Sequence, residues 1–190
     1  VGRSEGAVRD ARRIWYWPPL HHGARVLEIG SGAGDFARAA RARGWKVDTL
    51  EPAVGDPTAE AWADTAPRQH YDAIFAWQVL EHLERPEDVL RAIRRALIPG
   101  GYFVLSVPSA RSVEAWVMRD RWEARHSGHH HEWTPGTLRN FLHSFGFTRV
   151  RVMHQRIVKH VRGPWWWTLA LGCLVAALRI SSRITVVARP

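Results

Sequence analysis

The chain is 190 residues long and 46% hydrophobic, with a formal charge of +9 that rests almost wholly on arginine, since Lys46 and Lys159 are its only lysines. That size suits one α/β domain with a full core. A single cysteine, Cys173, excludes an internal disulfide or a thiolate metal cluster and fits a reducing compartment. The arginines are scattered without a compact basic run, which argues against nucleic acid as the partner and leaves a membrane surface or another acidic partner open.

The opening "VGRSEGAVRDARR" has no long apolar core behind its charges, so it reads as cytoplasmic rather than secretory. Residues 5–15 read as a helix, and 1–20 as a helical lid in which Trp15 and Trp17 cover the cofactor or extend an apolar face. From there strand and helix patterns alternate as in a parallel sheet, with strands predicted at 24–29, 46–51, 71–76, 101–107, 147–153 and 183–188. In "VLEIGSGAGDF", residues 26–36, Gly30, Gly32 and Gly34 fall on a strand-to-helix turn, where the backbone can approach a ligand and the helix N–H groups face it. The helix that follows, "DFARAARARG", is expected to end at Gly44. In "LERPEDVLRAIRRALIPGG" Val89, Leu90, Ile93 and Leu97 make one apolar face, and Pro99-Gly100-Gly101 stops the helix. In "TPGTLRNFLHSFGF" Thr134 caps, Pro135 takes the first turn, Leu138, Phe141, Leu142 and Phe145 form the buried stripe, and Gly146 closes the end.

The glycine spacing selects the nucleotide. A dinucleotide fingerprint is G-x-G-x-x-G, and its last glycine is Asp35 here, so NAD is excluded. Glu28 precedes the turn, and "KVDTLEP" brings Glu51, 21 residues after Gly30, to the position where a nucleotide site keeps a carboxylate for both ribose hydroxyls; a solvated strand-end acid is the other reading. An acid before G-x-G-x-G resembles motif I of the class I S-adenosylmethionine (SAM)-dependent methyltransferases. "YDAIFAWQVLEHL", "LIPGGYFVLSVPS", "GHHHEWTPGTLRNFLHSFGF" and "RITVVARP" extend the resemblance in order to the chain's end. The likeness is to methyltransferases of type 11/23 and, distantly, to the ubiquinone-pathway O-methyltransferases. It implies an α/β fold, a Rossmann-like doubly wound, mostly parallel sheet with an antiparallel last strand, in a single domain over 1–190. It also implies SAM as cofactor, held by Glu28, Gly30, Ser31, Gly32, Gly34, Glu51, Pro52, Trp77 and Gln78. Only 19 residues separate Glu51 from Tyr71, so the third-strand region is shortened; Glu60, Trp62 and Asp64 remain there as adenine contacts or as solvated loop.

Methyl transfer from a sulfonium is a displacement in which the protein supplies orientation, plus a base when the acceptor is a weakly acidic hydroxyl. "QVLEHL" follows a strand, so Gln78, Glu81 and His82 are expected at the carboxyl ends of strands, where ligands bind, with His82 as the base and Glu81 beside it; helix-cap or packing roles are the alternative. The ubiquinone-pathway relatives carry an E-x-x-E-H run associated with a divalent metal. Gln78 replaces its first acid here, and no metal is expected. The "HHH" run at 129–131 cannot converge on one ion from extended backbone. The resemblance sets it beside the acceptor pocket, which makes His129 and His131 candidate acceptor contacts or ordinary loop histidines.

An apolar stretch, "PWWWTLALGCLVAALR" at 164–179, gives 14 residues without a charge between Arg162 and Arg179. As a helix those 14 residues would reach roughly 21 Å, short of the ~30 Å hydrocarbon core. It is expected as an apolar helical insertion at 163–180 between the last two strands, and with its tryptophans and arginines as an interfacial anchor; a buried helix or a dimer contact would use the same residues. The reading is a SAM-dependent methyltransferase acting on oxygen of a lipid-like or lipid-linked small-molecule acceptor, cytoplasmic and peripheral on the inner membrane face. The alternative is a degenerate SAM-fold module that binds a membrane or partner. The N/D-P-P-Y/F run of amino-methylating nucleic-acid enzymes is absent, and the oligomeric state is not read from the sequence.

Overall fold

The computed structural model describes residues 18–122, 128–154 and 183–190; the expected helix at 5–15, Trp15, Trp17, Cys173 and the apolar stretch at 164–179 lie outside them. Six strands form one sheet in the order β2-β1-β3-β4-β6-β5. β1 (Arg25–Ile29), β2 (Lys46–Leu50), β3 (Tyr71–Trp77) and β4 (Leu97–Pro108) run parallel, while β6 (Arg183–Arg189) lies antiparallel between β4 and β5 (Arg149–His154). This is the doubly wound sheet with an antiparallel last strand that the sequence predicts. "RITVVARP" does return to the sheet that holds "FTRVRVM".

The sheet is covered on both faces, which explains why β3 reads "YDAIFAW" with almost no polar alternation. On one face Val26, Ala73, Phe75 and Trp77 pack with Phe36, Ala37 and Ala40 of α1 (Asp35–Arg41). On the other, Leu27, Ile29, Ile74 and Leu105 meet α2 (Ala59–Thr65), α3 (Pro86–Ala96) and α5 (Pro135–Ser144), with Trp62, Leu90, Ile93, Leu138 and Leu142 as their buried side chains. The short α4 (Val113–Met118) follows β4.

Local chemistry sets the helix ends. Pro86, Glu87 and Asp88 open α3 and Arg94 and Arg95 close it, matching the helix dipole at both ends. Thr134 caps α5 by accepting from the Thr137 N–H at 3.1 Å, and Thr137 Oγ1 accepts in return from the Thr134 N–H at 2.9 Å. Of the expected α5 stripe, Leu138 and Leu142 are fully buried and Phe141 and Phe145 partly so. β4 begins at Leu97, earlier than the expected 101, because Leu97 pairs with Tyr71 before the register shifts to Ala73↔Tyr102 across Pro99 and Gly100. Between β2 and β3 the chain makes only a 3₁₀ turn, Pro52–Val54, and α2. Eighteen to twenty residues cannot also supply another edge strand with its crossover.

Because Thr134 satisfies the Thr137 N–H, Thr134→Ala is expected to cost about 1 kcal/mol of stability. Urea unfolding should show a lower midpoint with an unchanged slope.

Candidate active site

β1 sits between β2 and β3 in level register, Ile29 opposite both Leu50 and Ala76, so three loops leave the sheet at one edge. The first is the glycine loop. Gly30 lies at φ 72°, its N–H donates to Leu50 O at 2.7 Å, and a Cβ on it would come 2.5 Å from Val79 Cγ2. Only glycine fits between β1 and the loop after β3. Gly32, at φ 52°, is different: nothing lies within 4 Å of where its Cβ would be, so its backbone faces open space. Gly34 precedes α1 and donates to Ser31 O at 2.8 Å, and the Ser31 side chain is buried.

The second loop brings Glu51 onto the first. Glu51 Oε2 accepts from the Gly32 N–H at 2.6 Å and Oε1 from the Ala53 N–H at 3.2 Å, while Asp56 Oδ2 accepts from the Glu51 N–H at 2.8 Å. The solvated strand-end reading of Glu51 does not describe this carboxylate. Pro52 starts the 3₁₀ turn that follows. Beneath the loop Glu28 is 1% exposed and accepts from the Ala37 backbone N–H, yet its Oε2 has no hydrogen-bond partner. Burial pushes its carboxyl up to about 8, against the opposing pull of the Ala37 hydrogen bond and of Arg41.

The third loop follows β3. Trp77 belongs to the core on the α1 face, 5.6 Å from the Phe36 ring and 5.9 Å from Phe75. Gln78 takes φ 55°, its N–H donating to Ser106 O at 2.9 Å and its Nε2 reaching Ser106 Oγ at 3.4 Å. Glu81 and His82 lie in a 3₁₀ turn, Leu80–His82. His82 Nδ1 is 3.1 Å from Gly128 O, and because a carbonyl only accepts, Nδ1 carries the proton and Nε2 keeps the lone pair. The Glu81 carbonyl accepts from the His130 and His131 N–H groups at 2.8 and 3.3 Å, which ties the histidine run to this turn. Its carboxyl is 1% exposed with neither oxygen partnered by another residue, and burial pushes it up to about 8, with Arg183 pulling the other way.

The histidine run divides as extended backbone requires. His129 stands edge-on to His82, ring centroids 4.4 Å apart, whereas His131 packs on Trp133 at 5.7 Å with its buried Nε2 unpartnered. The ligand-bearing atoms of Glu81, His82 and His129 come within 4.8 Å of one another, a spacing that could hold a metal ion. The sequence reading, which set no metal here, did not foresee His129 beside His82. It also missed Val79, Asp56 and Ser106. Only Ser106, a lone polar residue in "FVLSVP", left a signal. Of the three residues offered for adenine, Trp62 is core, Glu60 Oε1 accepts from the Glu84 N–H at 3.2 Å, and Asp64 is exposed.

These residues fit the expected cofactor. Glu28 has an unsatisfied buried oxygen for which an ammonium would be a donor, Glu51 has spare acceptor capacity at the loop, and Gly32 leaves room beside both. Sheet and loops together define a class I SAM-dependent methyltransferase. Residues 7–152 match the family described as "Methyltransferase domain", and the chain belongs to that family. Among curated proteins it is similar to the "Ubiquinone biosynthesis O-methyltransferase" of Sodalis glossinidius, 30% identical over 62% of this chain and 64% of that one, and to that of Yersinia pestis, 29% identical over 50% and 46%. The chain thus spans about half to two thirds of the length of these relatives. Among solved structures, a SAM-dependent methyltransferase from Archaeoglobus fulgidus superposes with a TM-score of 0.72 at 18% identity, covering 100% of this chain and 95% of that one. Phosphoethanolamine N-methyltransferase 2 of Haemonchus contortus, solved with SAM, gives 0.68 at 14% identity over 95% and 52%. At such identities these two establish the fold. The cofactor is SAM.

Removal of the Glu51 carboxylate by Glu51→Ala should weaken SAM binding by on the order of 1.5–3 kcal/mol, read by calorimetry. Unchanged affinity would take Glu51 out of the site. Glu28 gives a pH signature: folded, it holds a proton up to about 8 that the unfolded chain releases near its ordinary 4.5, so the folded state binds more protons between these values and stability falls as pH rises through them. Glu28→Gln should flatten that decline in unfolding measurements from pH 5 to 8.5, leaving the part due to Glu81.

Proposed function

We propose that this chain methylates an oxygen of a lipid-like or lipid-linked small molecule at the inner face of the cytoplasmic membrane. The observation that carries the oxygen chemistry is the His82 tautomer: Nδ1 is committed to Gly128 O, so Nε2 is the nitrogen able to take a proton from a hydroxyl. When bound, SAM supplies an electrophilic methyl on a sulfonium. The residues around His82 then do the rest. Glu81, which keeps its proton at neutral pH because it is buried, presents an acidic group beside that basic one. His129 walls the same space, and the unpartnered Nε2 of His131 offers a polar hold for the acceptor.

The lipid-like character of the acceptor is supported by the relatives named for ubiquinone biosynthesis and by the apolar stretch at 164–179. No helix among the described residues is long and apolar enough to cross a membrane. A peripheral placement agrees with this.

With radiolabelled SAM and a total polar-lipid extract as acceptor, His82→Ala should lower methyl incorporation by ~10²-fold or more and leave SAM affinity nearly unchanged. Near wild-type incorporation by the variant would refute the base role. Incorporation by the unaltered chain should also survive EDTA; loss in EDTA with recovery on adding a divalent cation would turn Glu81, His82 and His129 from base and neighbours into metal ligands.

A further inference from the structure

Five large hydrophobic side chains are exposed among the described residues, and four of them, Val113, Trp116, Val117 and Met118, belong to α4. Trp116 is 76% exposed and Val117 65%. The helix is attached the other way round from a water-facing one: its buried residue is the small Ala115, packed with Trp122 and Ala110, and its large side chains point out. A concentrated apolar patch of this kind marks an interaction surface.

Position and charge say what it meets. α4 hangs from the carboxyl end of β4, and the stem between them is tied to the histidine loop by the Ser109↔Trp133 bridge and by the Ala110 N–H donating to Trp133 O at 2.8 Å. The patch therefore borders the space that His129 and His131 line. Arg111 before the helix and Arg119 after it are exposed, Glu114 and Asp120 are the acids of the segment, and the chain as a whole carries +9. A second copy of the chain is a poor occupant. Two such patches would bring like charges together, and a six-residue helix, about 9 Å long, is far below the ~800 Å² per partner of a stable interface. A bilayer sets no such minimum area. Exposed Trp, Val and Met side chains enter its headgroup boundary one by one, and flanking arginines meet anionic lipid.

We propose that α4 is a docking helix that seats the protein on an anionic phospholipid surface with the acceptor side of the active site facing the lipid. The inference rests on the reading of the acceptor as lipid-like, and it names a surface that reading did not contain. It is tested by cosedimentation of the full chain with vesicles of 70:30 phosphatidylcholine and phosphatidylglycerol. The comparison chains are a Trp116→Ser, Val117→Ser, Met118→Ser variant, an Arg111→Gln, Arg119→Gln variant and a Trp165→Ser, Trp166→Ser, Trp167→Ser variant, with SAM calorimetry as the check that each is folded. The expected result is vesicle binding by the unaltered chain, roughly tenfold or more lost in the α4 triple variant with SAM binding retained, and a smaller, salt-sensitive loss in the arginine variant. Equal binding by the unaltered chain and the α4 triple variant would overturn the docking helix; if the Trp165–167 variant alone were released, the membrane reading would stand on that stretch. No vesicle binding by the unaltered chain at any salt would overturn both. A concentration-dependent dimer abolished by the α4 substitutions would assign the patch to a second copy.

Discussion

One hydrogen bond, from the Gly32 N–H to Glu51 Oε2 at 2.6 Å, closes the cofactor half of this site. It can form only because β1 and β2 end level with one another and the chain after β1 turns through glycines at φ 72° and 52°. A residue with a Cβ at Gly30 would strike Val79 and force the β3 loop outward, carrying Gln78, Glu81 and His82 with it. The parallel register of three central strands, the glycine spacing and the position of the base are thus one constraint. The apolar packing of both sheet faces keeps those strand ends fixed.

The other half is built by a loop from far along the chain. Hydrogen bonds from His130 and His131 to the Glu81 carbonyl, and from His82 to Gly128 O, join residues 80–82 to 128–131 without any regular element between them. This arrangement orients rather than activates: it fixes which nitrogen of His82 is basic, and it leaves polar atoms of Glu81 and His131 buried and unsatisfied. Unpaired buried polar groups are costly, and their concentration at one spot is what a site awaiting a polar ligand atom looks like. Glu28 repeats the pattern under the glycine loop.

Much of this was legible in the sequence, for physical reasons. Six strands came through because a sheet covered on both faces demands near-continuous apolar runs, as in "YDAIFAW", and glycine-rich turns mark their ends. Thr134, Pro135 and Gly146 bounded α5 through cap chemistry that acts within a few residues. The start of β4 was misjudged because Pro99-Gly100-Gly101 reads as a stop, while pairing of Leu97 with Tyr71, a long-range fact, extends the strand through it. In the site, Glu28, Glu51 and the glycines were legible through spacing along adjacent strands. The approach of His129 to His82, the hold of Asp56 on Glu51 and the outward face of α4 were not, since each depends on where a loop returns in space rather than on any local pattern.

The central claim is that SAM binds over the Gly30–Gly34 loop so that the methyl it donates is directed to the His82 side. A crystal structure of the chain with SAM bound is the most direct measurement. The account predicts the amino-acid end over Glu28 and the glycine loop, the ribose hydroxyls on Glu51, and the sulfonium methyl facing the space between His82 Nε2 and His129. A cofactor bound with its adenine against His82, or with the methyl turned toward α1 and away from that space, would contradict it.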